Sequence, residues 1–396
     1  MSIPSIDGLL REESGLRGQR VFLRADLNVP LDDTRVRDDT RIRAVLPTLR
    51  KLMAAGARVI LGSHLGRPKG ERKPELSLLP VAEALSGLLG RKVAFCDSCS
   101  GEAARLASRL LGDGELVLLE NLRFEAGEER NDPAFARELA ELADVYVNDA
   151  FGTAHRAHAS TVGVVPHLKR KAAGDLMIAE LRHLASVKEP ARPLLCLLGG
   201  AKVSDKLPVL EALAPHADVL AVGGAMAYTF LLAQGQPTGN SLVEEERVGD
   251  ARRVLSAAEA ADRRILLPTD HVVVRELKPD AETEVVREIP PGYLAVDIGP
   301  ETSAAYAAEV GAAATVFWNG PMGIFEIPAF SEGTRAVARA VAAAPGRTVV
   351  GGGDSLAAVN AVGVSDRIDH LSTGGGASLE FVQGEILPGV AALEEN

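Results

Sequence analysis

Six side chains in the first half of the chain could grip an anion: Arg24, Arg41, His64, Arg67, Arg123 and Arg156, with Asp26 and Asn28 close by in sequence. Arginine suits phosphate and carboxylate because its planar fork donates two parallel hydrogen bonds. Several of these residues sit beside glycine, as in His64-Leu65-Gly66-Arg67 and in Phe151-Gly152-Thr153-Ala154-His155-Arg156. A small phosphorylated acid matches that pattern. Asp26 is the exception, since an anion repels anions; it would accept a substrate hydroxyl or orient a neighbouring arginine.

The second half carries glycine-rich turns instead. Gly199-Gly200-Ala201-Lys202 precedes a helical pattern, and Lys206 follows Lys202 by four residues, the spacing of one helix face. Gly351-Gly352-Gly353-Asp354-Ser355 opens a second helix, with Asp354 placed to meet a Mg²⁺ ion bridging nucleotide phosphates. Thr373-Gly374-Gly375-Gly376-Ala377-Ser378 opens a third. Backbone N–H groups at helix starts bind phosphate oxygens without side-chain charge. The chain contains no G-x-x-x-x-G-K-[ST] loop, and no G-x-G-x-x-G follows a strand, so neither common nucleotide fingerprint is present.

Short aliphatic runs alternate with helical patterns, and these must position the clusters. Strands are expected at 21–24, 58–61, 93–95, 116–119 and 145–147, then at 194–198, 219–222, 264–267, 315–318 and 348–350. Helices are expected between them, among them 41–55, 78–89, 204–213 and 331–343. Such alternation predicts an α/β protein with two doubly wound parallel sheets. In these sheets ligands bind beyond the carboxyl ends of the strands, where the polar and glycine-rich clusters fall. The segment 168–188 reads as one linking helix with a basic start, Lys169-Arg170-Lys171.

A length of 396 residues with 46% hydrophobic content exceeds what one core usually supports, so two domains are expected. The net charge of −11 argues against a nucleic-acid or membrane-surface partner. That deficit lies almost wholly after Ala185, leaving the first half nearly neutral and less repulsive to an anion. Cys96 and Cys99 have no second pair to complete a zinc site, and Cys196 lies in an apolar run. The N-terminus lacks an apolar stretch of signal-peptide length, and 219–233 is too short and glycine-interrupted to span a bilayer, so a cytoplasmic enzyme is expected.

Eight segments together resemble the phosphoglycerate kinase family, in the family's order and over nearly the whole chain. They are Arg24 to Pro30, His64 to Pro68, Glu120 to Phe124, Asn148 to His158, GGAKVSDKL from Gly199, WNGPMGIFE from Trp318, GGGDS from Gly351 and STGGGASLE from Ser372. Departures are small: Leu27 stands where Phe is frequent and Phe317 where Val is frequent. The resemblance implies a glycolytic enzyme transferring a phosphoryl group between 1,3-bisphosphoglycerate and ADP by hinge bending, with 3-phosphoglycerate and ATP as the other pair. It implies a substrate-binding domain over 1–172, to which a tail at 387–396 returns. Residues 173–386 would hold the interdomain helix and the nucleotide-binding domain. Asp26 and Asn28 would contact the glycerate; His64, Arg67, Arg123 and Arg156 would surround its phosphate; Arg41 and Lys202 would flank the group in flight, with Gly375 in the catalytic set. Lys206, Gly299, Asn319, Glu326, Gly352, Gly353, Asp354 and Ser355 would form the nucleotide site, Asp354 holding Mg²⁺. A monomer is expected.

Overall fold

The computed structural model describes residues 3–32 and 34–394. The chain forms two compact units, Met1–Leu181 with Ile386–Asn396, and Arg182–Glu385.

The first unit is built on six parallel strands: β1 (Arg20–Ala25), β2 (Arg58–Gly62), β3 (Ala94–Cys96), β4 (Leu116–Leu119), β5 (Val145–Asp149) and β6 (Arg170–Ala173). Their order across the sheet is β3-β4-β2-β1-β5-β6. Runs such as Leu116–Leu119 are buried end to end, as strands covered on both faces must be. Helix α1 (Thr40–Ala54) turns Ile42, Val45, Leu49 and Leu52 into the same core as Val21 and Leu23, and leaves Arg41 off that stripe. Strand β1 lies between β2 and β5, so the winding reverses beside it. Crevices form at such reversals, outside the carboxyl ends.

The second unit repeats the plan with β7 (Leu194–Leu198), β8 (Val219–Val222), β9 (Arg264–Leu266), β10 (Thr315–Asn319), β11 (Arg347–Gly351) and β12 (His370–Ser372), ordered β9-β8-β7-β10-β11-β12. All neighbours are parallel, and the reversal falls between β7 and β10. Trp318, Val316 and Leu195 pack in one core with Val337 and Val359. A three-stranded antiparallel sheet (His271–Val274, Glu284–Val286, Leu294–Ile298), β6 and β12 were not expected from the sequence. The two edge strands are short and only partly apolar, which hides them from a pattern search.

The linking segment differs from expectation. Residues 170–173 form strand β6, and the helix α2 (Asp175–Lys188) begins only after Gly174. Three cations at a helix start would oppose the helix dipole. Arg170 and Lys171 serve the strand instead: Arg170 Nη2 donates to Glu12 Oε2 at 2.7 Å, and Lys171 Nζ donates to the carbonyls of Ala392 (2.8 Å) and Glu394 (3.1 Å). At Gly174 a Cβ would run into the Asp149 carboxylate, so only glycine lets the chain pass there. Asp149 Oδ1 then accepts the N–H of Met177 at 3.0 Å and caps α2.

Residues after Glu385 pack on the first unit. Gly389 donates its N–H to the Ala154 carbonyl at 2.8 Å, and Leu387, Val390 and Leu393 are buried. Residues 395 and 396 lie outside the described residues.

Candidate active site

In the first unit Asp26–Asn28, His64–Gly66, Asn121–Arg123 and Ala150–Arg156 all follow the carboxyl ends of parallel strands, so they share one edge of the sheet. Asp26 is held by Arg41, whose Nη1 donates to Asp26 Oδ1 and Oδ2 at 3.0 and 3.1 Å and to the Asn28 carbonyl at 3.2 Å. Asn28 Oδ1 accepts the Gly66 N–H at 2.9 Å, and Arg123 Nη1 donates to the Gly66 carbonyl at 2.8 Å. One glycine thus ties the loops after β1, β2 and β4 together. Arg123 is buried, which with the nearby Arg24 charge lowers its pKa to about 10.

His64 is buried at the centre of this cluster. Burial first, then the charges of Arg24, Arg123 and Arg41, hold its pKa well below the ordinary histidine value, so the ring is neutral. His158 behaves alike, pushed down to about 3 by burial and by Arg123, Arg24 and Arg156. Arg156 Nε donates to His155 Nε2 at 3.1 Å, whereas Arg67 is exposed at the rim. Arg24, read from the sequence among the anion-gripping side chains, lies within β1 and is completely buried.

In the second unit the glycine turns again follow strand ends. Gly352 caps α4 (Gly353–Val362) with φ at +90°, a value open to glycine and costly for other residues. Gly375 caps α5 (Gly376–Val382). Lys206, in α3 (Val203–Leu213), donates from Nζ to Asn319 Oδ1 at the end of β10, and burial lowers its pKa while Asp354 opposes the shift. Asn319 is buried, and its Nδ2 has no partner. A cavity of about 340 Å³ is lined by Gly200, Gly224, Leu242, Tyr228, Glu326 and Asp354 among others. Its apolar walls beside a carboxylate and glycine backbone can take a flat ring and a polar, charged tail.

One expectation changes here. Lys202 is the extended residue before α3 and is exposed, so it does not share a helix face with Lys206. The helix starts one residue too late for the four-residue spacing to operate. Ser355 is fully buried, and its hydroxyl oxygen accepts the Gly320 N–H. Neither Lys202 nor Gly299 lines the cavity; Gly299 caps the helix Pro300–Ala312 beside Asp270.

The family model described as phosphoglycerate kinase matches residues 12–385. The chain belongs to the phosphoglycerate kinase family. Phosphoglycerate kinases of Anaeromyxobacter sp. (strain K) and Moorella thermoacetica are each 56% identical to it, covering 100% and 96% of this chain and 100% and 97% of their own lengths. The solved phosphoglycerate kinase of Coxiella burnetii superposes with a TM-score of 0.89 at 41% identity, covering 99% of both chains. That of Pyrococcus horikoshii OT3 gives 0.85 at 35% identity over 96% of both. As a phosphoglycerate kinase the chain is a phosphotransferase of glycolysis, and its two parallel-sheet units are the family's fold.

Sequence reasoning missed Ser63, Glu128 and Ser160 at this candidate site. Ser63 Oγ accepts the Leu27 N–H at 2.8 Å, and Glu128 and Ser160 are buried behind Arg24. Glu128 stands in Glu125-Ala126-Gly127-Glu128-Glu129-Arg130, which reads as solvated surface. No local signal marks it.

Proposed function

We propose that the first unit holds 3-phosphoglycerate or 1,3-bisphosphoglycerate and the second holds ADP or ATP with Mg²⁺, and that the chain moves the phosphoryl group reversibly between them. The observation that carries this reading is the convergence of the Arg24, Arg41 and Arg123 charges on His64 at one sheet edge. So much cationic potential in a buried pocket is costly unless an anion offsets it.

Asp26 and Asn28 would contact the glycerate, with Arg41 held by both. His64, Arg67, Arg123 and Arg156 would surround the 3-phosphate. Arg41 would also reach the group in flight, with Lys202 and the amides about Gly375. Lys206, Asn319, Glu326, Gly299 and the turn Gly352–Ser355 would take the nucleotide. Phosphoryl transfer through a loose transition state asks for positioning and charge stabilisation, and no covalent enzyme intermediate is needed. The unpaired Asn319 Nδ2 is a donor in want of an acceptor, which a phosphate oxygen would supply.

Mg²⁺ that bridges nucleotide phosphates needs only one or two protein carboxylates. The exposed Asp354, in the first turn of α4 beside the cavity, fits that demand. Among the described residues no group of three or more His, Cys, Asp and Glu is placed to hold a metal by itself. When bound, the ion would neutralise charge on the phosphates; Asp354 would orient it and the glycine amides would align the chain of phosphates.

We further propose substrate and nucleotide domains over 1–172 with the tail 387–396, and 173–386, a monomer acting in the cytoplasm, and closure that excludes water from the acyl phosphate. Among the described residues no helix is long and apolar enough to cross a membrane. A coupled assay with 3-phosphoglycerate and MgATP on purified protein tests the reading. Turnover dependent on both substrates is expected, and phosphorylation of other small acids in preference would overturn it.

A further inference from the structure

Behind the proposed phosphate pocket lies a chain of four polar side chains whose order fixes what the innermost can do. Glu128, Ser160 and Arg24 are completely buried and His64 nearly so. Ser160 donates its hydroxyl to Glu128 Oε1 at 2.6 Å and its N–H to Glu128 Oε2 at 3.0 Å. With its proton given away, Ser160 Oγ accepts from Arg24 Nε at 2.8 Å. Arg24 Nη1 donates to the Ala25 carbonyl, and Nη2 lies 3.3 Å from His64 Nδ1. Only one direction is chemically open at that last contact. A guanidinium has no acceptor and keeps its protons, so His64 Nδ1 must be the acceptor and the ring proton must sit on Nε2.

We propose that Glu128 and Ser160 are positioning residues for the reaction: by orienting Arg24 they lock His64 as its Nε2–H tautomer, which meets the substrate's phosphate as an uncharged hydrogen-bond donor. This rests on the proposed placement of the phosphorylated acid beside His64. It separates His64 from the arginines around it, since they supply charge and it supplies direction. Glu128 has a second consequence: its carboxylate faces Arg24 through one hydroxyl and lies 3.8 Å from His158 Nδ1, offsetting positive charge behind the pocket while leaving Arg123 and Arg41 to the ligand.

The test uses the full chain labelled with ¹⁵N-histidine, with His64 assigned by His64→Gln, and long-range ¹H–¹⁵N correlation spectra from about pH 5.5 to 8. Wild-type His64 should show the Nε2–H pattern throughout. In Ser160→Ala and Glu128→Gln it should become a tautomer mixture. KM for 3-phosphoglycerate should rise about tenfold with KM for MgATP changed less than about twofold. Ser160→Thr, which keeps the hydroxyl, should retain the wild-type pattern. An Nδ1–H or titrating His64 in the wild type overturns the proposal, and so do both altered variants with wild-type spectra and KM. Should Ser160→Ala not fold, the wild-type spectrum and the near-isosteric Glu128→Gln decide. Failure of the underlying site is read separately: His64→Ala with unchanged KM for 3-phosphoglycerate would remove the acid from this pocket whatever the tautomer.

Discussion

Arg41 combines a fixed anchor with a partly open head. It is bound to both oxygens of Asp26, yet a third of its side chain is exposed, with 32% remaining accessible. A donor held in place before the reaction costs no reorganisation when charge develops. Arg41→Ala should therefore lower kcat by roughly a hundredfold or more, the scale of deleting one preorganised donor. Steady-state kinetics giving a near-normal kcat would remove Arg41 from the chemistry. Asp354→Asn should weaken MgADP binding while leaving 3-phosphoglycerate affinity largely intact; calorimetry showing equal MgADP affinity would refute its assignment to the metal.

Among the elements, α2 depends on a buried acid. Burial, opposed by the hydrogen bonds from Thr48 and Met177, raises the Asp149 pKa from 3.8 to about 7. Folded and unfolded chains both hold this proton below about pH 4. Between there and about pH 7 the folded chain keeps a proton that the unfolded one releases, so the Asp149 contribution to stability falls as pH rises. Asp149→Asn has nothing to titrate. The stability difference between variant and wild type should move in the variant's favour by on the order of 1–4 kcal/mol from about pH 4 to 8. Urea unfolding at both ends checks this, and a difference independent of pH would contradict it.

The elements also show what sequence could and could not supply. Strands such as Leu194–Leu198 and Val219–Val222 were legible because a parallel strand covered on both faces is an unbroken aliphatic run. The loops after them were legible because glycine and arginine there have few other uses. Strand β6 was not, since Arg170–Ala173 is a four-residue strand whose arginine and lysine break the aliphatic run. Nor were Glu128 and Ser160, which are 32 residues apart and meet only through folding. Arg24 was visible as a residue but not as a buried one, because its cost is met by the neighbouring Ala25 carbonyl and by Ser160 and His64 from two distant segments.

For the whole molecule, the proposed placement of the two ligands on different units requires that they approach for transfer. Both substrates together should compact the protein more than either alone in solution scattering. A radius of gyration unchanged by the pair would count against closure.

The last described stretch completes a unit that the first residues begin: Gly389 bonds to Ala154, Lys171 reaches the carbonyls of Ala392 and Glu394, and Leu393 is fully buried. On the ribosome those residues emerge only after the whole of the second unit, Arg182–Glu385, has been made. The lobe translated earliest is thus sealed latest, and a nascent or prematurely terminated chain carries an unfinished seam over β5 and β6.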